Sequence, residues 1–106
     1  MSAINQFDVV VNPFGSRGRQ PYLVALQSDL LSRSLDTVVV APLESSGADT
    51  FADRLNPRVD VGGESFVLIA QELVTVRKSA LAQPRASLAG DRDRIIAALD
   101  MLFTGF

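Results

Sequence analysis

The sequence predicts an α+β fold: a strongly bent antiparallel sheet with one helix packed on it. Three observations lead there. Most of the chain consists of short β-branched runs separated by Gly, Pro, Asn and Ser signals. Two of those runs are joined by Gly62-Gly63, the spacing of a tight hairpin. From Asp91 onward the apolar residues change to a helical period. Strands and helices do not alternate and no segment repeats, so a parallel α/β arrangement is not expected.

The elements follow in order. Phe7 to Asn12 is a β-branched run that Asn12-Pro13 ends. Pro13 to Pro21 is rich in Gly, Pro, Ser and Arg and reads as a loop. Tyr22 to Gln27 is a second strand, and the pair forms a hairpin around that loop. Thr37 to Pro42 is a third strand. Its closing Pro42 cannot donate a ladder hydrogen bond, which suggests a strand end or an edge. Glu44 to Arg54 is polar and small, a surface excursion with room for a helical turn at Thr50 to Leu55. Pro57 to Val61 alternates with period two and pairs across Gly62-Gly63 with Glu64 to Ala70. Leu73 to Arg77 adds a weaker strand, and Ser79 to Ala89 reads as a linker around Pro84. The helix spans Asp91 to Phe103. Ile95, Leu99 and Leu102 define its apolar stripe, with Ile96 and Phe103 widening it. Asp91 and Asp93 sit where the helix dipole favours anions, and Gly105 is placed as a C-terminal stop.

With 106 residues and 11.4 kDa the chain is expected to be one domain, residues 1–106. Hydrophobic residues make up 47% and charged residues 21%, the balance of an ordinary globular domain and not of a disordered chain. A net charge of −2 supplies no overall positive field for a nucleic-acid backbone. Nine of the ten cations are Arg, so a local basic patch is compatible with that balance. The chain has no Cys and no His. Disulfides, thiolate nucleophiles, Ser-His-Asp chemistry and zinc catalysis with its usual ligands are therefore excluded. No metal and no cofactor is expected, and any enzyme would have to run on carboxylates, Arg, Ser, Thr or Tyr22. The first residues carry neither a basic nor an apolar signal region, and continuous apolar runs reach only four to five residues. A cytoplasmic protein is expected, with no membrane partner.

Four segments are candidates for function. Arg17 and Arg19 in the first loop either contact an anionic or protein partner through guanidinium forks or simply keep an exposed hairpin soluble. Asp91 and Asp93 alternate with Arg92 and Arg94 and so share no helix face; capping explains them better than an acid–base dyad. The tail from Leu102 through Phe103, Thr104, Gly105 and Phe106 either folds back on the core or presents an apolar tip to a partner. Leu30 and Leu31 follow Ser28-Asp29, a turn closure. Either both are core residues, or one faces the core while the other is exposed as part of a subunit interface.

At these last two segments the chain resembles the CcdB family of bacterial toxins. Gln6-Phe7 and the valines after it resemble the family's first strand. Leu26-Gln27-Ser28-Asp29-Leu30-Leu31 resembles its Val-Gln-Ser-Asp followed by two branched aliphatics. Val40-Ala41-Pro42-Leu43 resembles Val-Ile-Pro-Leu. Leu55-Asn56-Pro57 and Val59-Asp60-Val61-Gly62-Gly63-Glu64-Ser65 resemble Leu-Tyr-Pro and Val-x-Ile-Gly-Asp-Glu-Ser. Leu99 to Phe106 resembles its closing helix. The blocks keep the family's order over nearly the whole chain.

The resemblance implies an SH3-like curved antiparallel sheet (CcdB/MazF-like) with a small accessory hairpin and a C-terminal helix. It implies a homodimer that binds the DNA gyrase A subunit without enzymatic chemistry, traps the cleaved DNA complex, and is released by a disordered segment of a CcdA-like antitoxin. No direct nucleic-acid binding is implied. The gyrase-contacting positions would be Leu30, Leu31, Asp100, Thr104, Gly105 and Phe106, with Arg17 and Arg19 as antitoxin or loop contacts. The family's closing Trp-Gly-Ile is Thr104-Gly105-Phe106 here, and a family Asn is Asp100. Two alternatives therefore stand beside gyrase poisoning: a homologue that keeps the fold but not the poisoning, and an mRNA-cleaving toxin of the same fold superfamily.

Overall fold

A computed structural model describes residues 3–15, 19–45 and 53–105. Strands β1 (Asp8–Val11) and β2 (Tyr22–Ala25) precede a single-turn helix α1 (Asp29–Ser32). Then come the long β3 (Thr37–Ser45), the hairpin β4 (Arg58–Val61) and β5 (Glu64–Leu68), and β6 (Val74–Arg77). A two-residue β7 (Ala86–Ser87) and the helix α2 (Arg92–Thr104) complete the order. The strands form one antiparallel sheet in the order β4-β5-β3-β2-β1-β7, with β6 on β3 beside β5. Among the described residues no helix is long and apolar enough to cross a membrane.

The valine-rich runs are continuous because both faces of the sheet are covered. Alternate residues point to opposite faces. Val9, Val24, Ala41, Leu43, Phe66 and Leu68 share one core with Ile95 and Ala98 of α2. Val10, Leu23, Ala25, Val38, Val40 and Val76 form a second cluster, against which Ile4 and Leu81 pack. The register places Val9 opposite Val24, and Val24 opposite Ala41, so like positions stack into rows across three strands. Tyr22 meets Phe66 edge-on, with ring centroids 5.4 Å apart, and ties β2 to the hairpin.

The Gly62-Gly63 hairpin forms as expected, with φ of +58° and +84° and Val61 opposite Glu64. Positive φ at both central residues matches the strand twist of a two-residue turn, and glycine adopts it without a Cβ penalty. Gly105 closes α2 in the left-handed conformation at φ +81°, and its N–H donates to the Met101 carbonyl at 3.0 Å.

Four expectations are corrected. Pro42 neither ends a strand nor lies at an edge: β3 runs on to Ser45, and Pro42 is buried between two neighbouring strands. On one side it stands opposite Leu23, and on the other its carbonyl accepts from Ile69 N–H at 3.0 Å. Along that second side β3 changes partner, from β6 at Thr37–Val40 to β5 at Leu43–Ser45. The missing donor faces this changeover, where no ladder bond is lost. Glu44 belongs to β3 and is buried, so the polar excursion begins later; residues 46–52 lie outside the described residues, and Asp53 to Leu55 form a turn. The supposed linker from Ser79 contributes β7, which pairs Ala86 with Val9 and Ser87 with Asp8. Phe103 does not widen the buried stripe of α2; it is 69% exposed. At ~100° per residue it stands ~80° from Ile95, on the flank of the stripe and in the last turn.

Candidate partner-binding surface

The segment α1 is placed by its own caps. Ser28 Oγ accepts the Leu30 N–H at 3.1 Å, and Gln27 Nε2 donates to Ser32 Oγ at 3.1 Å and to the Thr37 carbonyl at 3.0 Å. Lys78 Nζ donates to the Ser32 carbonyl at the other end. These bonds point Ser32 inward, where it is buried, and turn both leucines out. Leu30 is 74% and Leu31 53% exposed, and Leu35 beyond them is also exposed. Neither reading of the pair, both in the core or one in and one out, is what the structure shows.

The far end of α2 presents a second exposed group. Ile95 and Ala98 are fully buried, while Leu99 and Leu102 are half-buried. Asp100 and Thr104, one turn apart, project on the opposite face. The Thr104 hydroxyl donates to the Asp100 carbonyl at 2.6 Å, which satisfies a carbonyl near the helix end. Phe103 stands beside them. Thr104 and Gly105 are exposed as a partner contact requires. Phe106 and Arg17 lie outside the described residues.

The two groups lie on different elements, α1 and the C-terminal end of α2. Asp29 of α1 accepts the Gln6 N–H at 2.7 Å, and the Gln6 side-chain carbonyl accepts from Arg92, the first residue of α2. That bonded path enters α2 at its first turn, and Thr104 stands ~18 Å further along the axis.

Arg19 is less free than a solvated loop cation. Its guanidinium meets Glu44 Oε2 at 3.2 Å, although the Arg19 side chain is 79% exposed. Gln20 Nε2 donates to Glu44 at 2.9 Å and to Glu72 at 3.0 Å. Arg19 and Gln20 thus give the buried Glu44 carboxylate its partners, the condition for keeping such a group inside. The exposed first turn of α2 holds a second ion pair, Arg94 with Asp91. Asp91 therefore acts by pairing with Arg94, with no side-chain bond to the helix N–H groups.

Sequence reasoning held Phe103 both as part of the buried stripe and as part of an exposed tip, of which the exposed position is observed, and it missed Leu35 as an exposed apolar residue and the roles of Gln6 and Arg92. Phe103 carried a usable signal, because its angular position lies at the edge of the Ile95 stripe. Gln6 and Arg92 are separated by 86 positions, and no local pattern shows their contact.

The model of a family described as CcdB protein matches residues 6–105. The chain belongs to the CcdB family. No curated protein matches it. Among solved structures it is similar to a mycobacterial endoribonuclease in complex with its cognate antitoxin, with a TM-score of 0.76, 15% identity and 93% of each chain covered. It is also similar to the Mycobacterium tuberculosis toxin MazF-mt6, with a TM-score of 0.69, 15% identity, and 93% of this chain and 96% of that one covered. A third is a structure described as an Mtb toxin, with a TM-score of 0.66, 18% identity, and 79% of this chain and 92% of that one covered. At these identities the similarities establish a shared fold, the bent SH3-like sheet with its C-terminal helix.

Proposed function

We propose that this CcdB-family chain is the toxin of a toxin–antitoxin pair and acts in the cytoplasm as a homodimer that binds the DNA gyrase A subunit. The observation that carries the reading is the exposure of Leu30, Leu31 and Phe103 in a chain that matches the family from residue 6 to 105. Large apolar side chains turned outward by specific caps, instead of folded into the core, are what a binding surface requires. Asp100, Thr104 and Gly105 extend the surface at the helix end, and Phe106 is a gyrase contact by the family resemblance. A homodimer would present the leucine pair and the helix end twice, on two copies of one surface. Binding needs no general base, in accord with a chain free of His and Cys. Arg17 and Arg19 are contacts for an antitoxin segment, Arg19 steadied by Glu44.

A second reading has a specific observation in its favour: a structural neighbour is an endoribonuclease held by its antitoxin. In that reading Arg17 and Arg19 would hold phosphates and a carboxylate or Thr on the sheet would act on RNA. The engagement of Arg19 with Glu44 favours the binding reading. One experiment separates the two. The chain is expressed in a gyrase-dependent bacterium, and growth, gyrase-linked DNA cleavage and RNA integrity are followed together. DNA trapped on gyrase with intact RNA supports the proposal; RNA fragments without trapped DNA overturn it. Normal growth identifies a homologue that has kept the fold and lost the poisoning.

A further inference from the structure

The junction at Gln6-Phe7 holds more contacts than a strand entry needs. The Gln6 N–H donates to Asp29 Oδ1 at 2.7 Å, and its Nε2 donates to the Leu26 carbonyl at 3.0 Å. Its Oε1 accepts from Arg92 Nη1 at 3.4 Å. The Arg92 guanidinium also lies 5.6 Å from the centroid of the Phe7 ring. Phe7 has φ +71°, a left-handed conformation that a bulky residue adopts at a cost, and it is the one non-glycine with positive φ among the described residues. Its ring is buried, its N–H donates to the Ala25 carbonyl and its carbonyl accepts from Leu88 N–H. A strained residue persists where its surroundings over-determine it, and such places cluster at functional constraints. Here the strained turn aims Gln6 at three elements at once: the end of β2, the start of α1 and the start of α2.

We infer that Gln6 and Arg92 are positioning residues that lock α1, and with it Leu30 and Leu31, to the start of α2. A single-turn helix has little stability of its own. Without the Asp29–Gln6–Arg92 chain, α1 keeps its caps at Ser28 and Lys78 but loses its link to α2. The exposed leucines then sample several orientations, and a partner has to order them on binding. For its binding arm the inference rests on the gyrase reading; for its structural arm it stands alone.

The test uses the full chain with Gln6→Ala, Arg92→Ala and Asp29→Ala, each also in a background of Leu30→Ala with Leu31→Ala. Binding to purified gyrase A subunit is measured, together with amide exchange of residues 29–33 and of β3. Gln6→Ala, which keeps the backbone bond to Asp29 but removes the side-chain bonds to Leu26 and Arg92, is expected to weaken binding about tenfold alone and to have little further effect once both leucines are alanine. Exchange in residues 29–33 is expected to rise about tenfold with β3 unchanged. Asp29→Asn, which keeps Oδ1 as an acceptor, is expected to restore most of the binding lost in Asp29→Ala. If the effects of Gln6→Ala and of the leucine pair simply add, and exchange in α1 is unchanged, the inference is overturned. If the parent chain does not bind gyrase A, the functional reading fails, and exchange in residues 29–33 alone decides the positioning role. If Gln6→Ala fails to fold, the Arg92→Ala and Asp29→Ala pairs carry the same comparison.

Discussion

A few individual residues hold conformations that other side chains would not tolerate. Gly63, at φ +84°, has open space where a Cβ would stand, so the cost of a side chain there is backbone strain and not collision. Gly63→Ala is expected to lower stability by about 1–2 kcal/mol, read from the urea midpoint at unchanged m. By the sequence resemblance, Thr104 would stand where the family carries Trp. It is exposed, and its hydroxyl bond to Asp100 is local. Thr104→Trp is therefore expected to leave the melting temperature nearly unchanged while strengthening gyrase A binding, because an aromatic anchor is what interface centres favour. Unchanged affinity would place residue 104 outside the interface. At this scale the sequence was informative where one residue's chemistry decides the outcome, as at Gly62-Gly63 and Gly105. It misled where a second strand decides, as at Pro42. Pro42 looks like a terminator until β3 is seen to change partner at that point.

Among the elements, α2 divides its work between its two ends. The inward face of its first half is core: Ile95→Ala should cost about 2–5 kcal/mol, the range for deleting a fully buried aliphatic side chain. That loss is a large part of the stability of so small a domain, and thermal or urea unfolding reads it. Phe103→Ala at the exposed end should change stability by less than about 0.5 kcal/mol and yet weaken partner binding, because its ring covers no core. Equal losses of stability in the two variants would contradict this division. The helix was legible because thirteen consecutive residues repeat one period. Strand β7 was not, since two residues carry no period and Ala86-Ser87 owe their pairing to β1. The single turn of α1 was legible only as a turn, and the outward direction of Leu30 and Leu31 comes from Gln27 and Lys78, which lie outside it.

For the whole molecule, the absence of His and Cys made binding a better expectation than catalysis, and the proposed binding surface is built on the exposed leucines and Phe103. The candidate gyrase contacts named from the sequence lie on two elements far apart in the chain, α1 and the end of α2. The proposed homodimer predicts that sedimentation at micromolar concentration gives a particle of twice 11.4 kDa; a monomer would contradict that part of the proposal. The central claim is that the chain works by binding gyrase A, and purified gyrase tests it most directly. With relaxed plasmid DNA and the added chain, double-strand breaks that appear only after denaturation and protease treatment, and that Leu30→Ala with Leu31→Ala and Phe103→Ala suppress, are the predicted result. No gyrase-dependent breaks, with cleavage of an added messenger RNA by the same preparation, would contradict it.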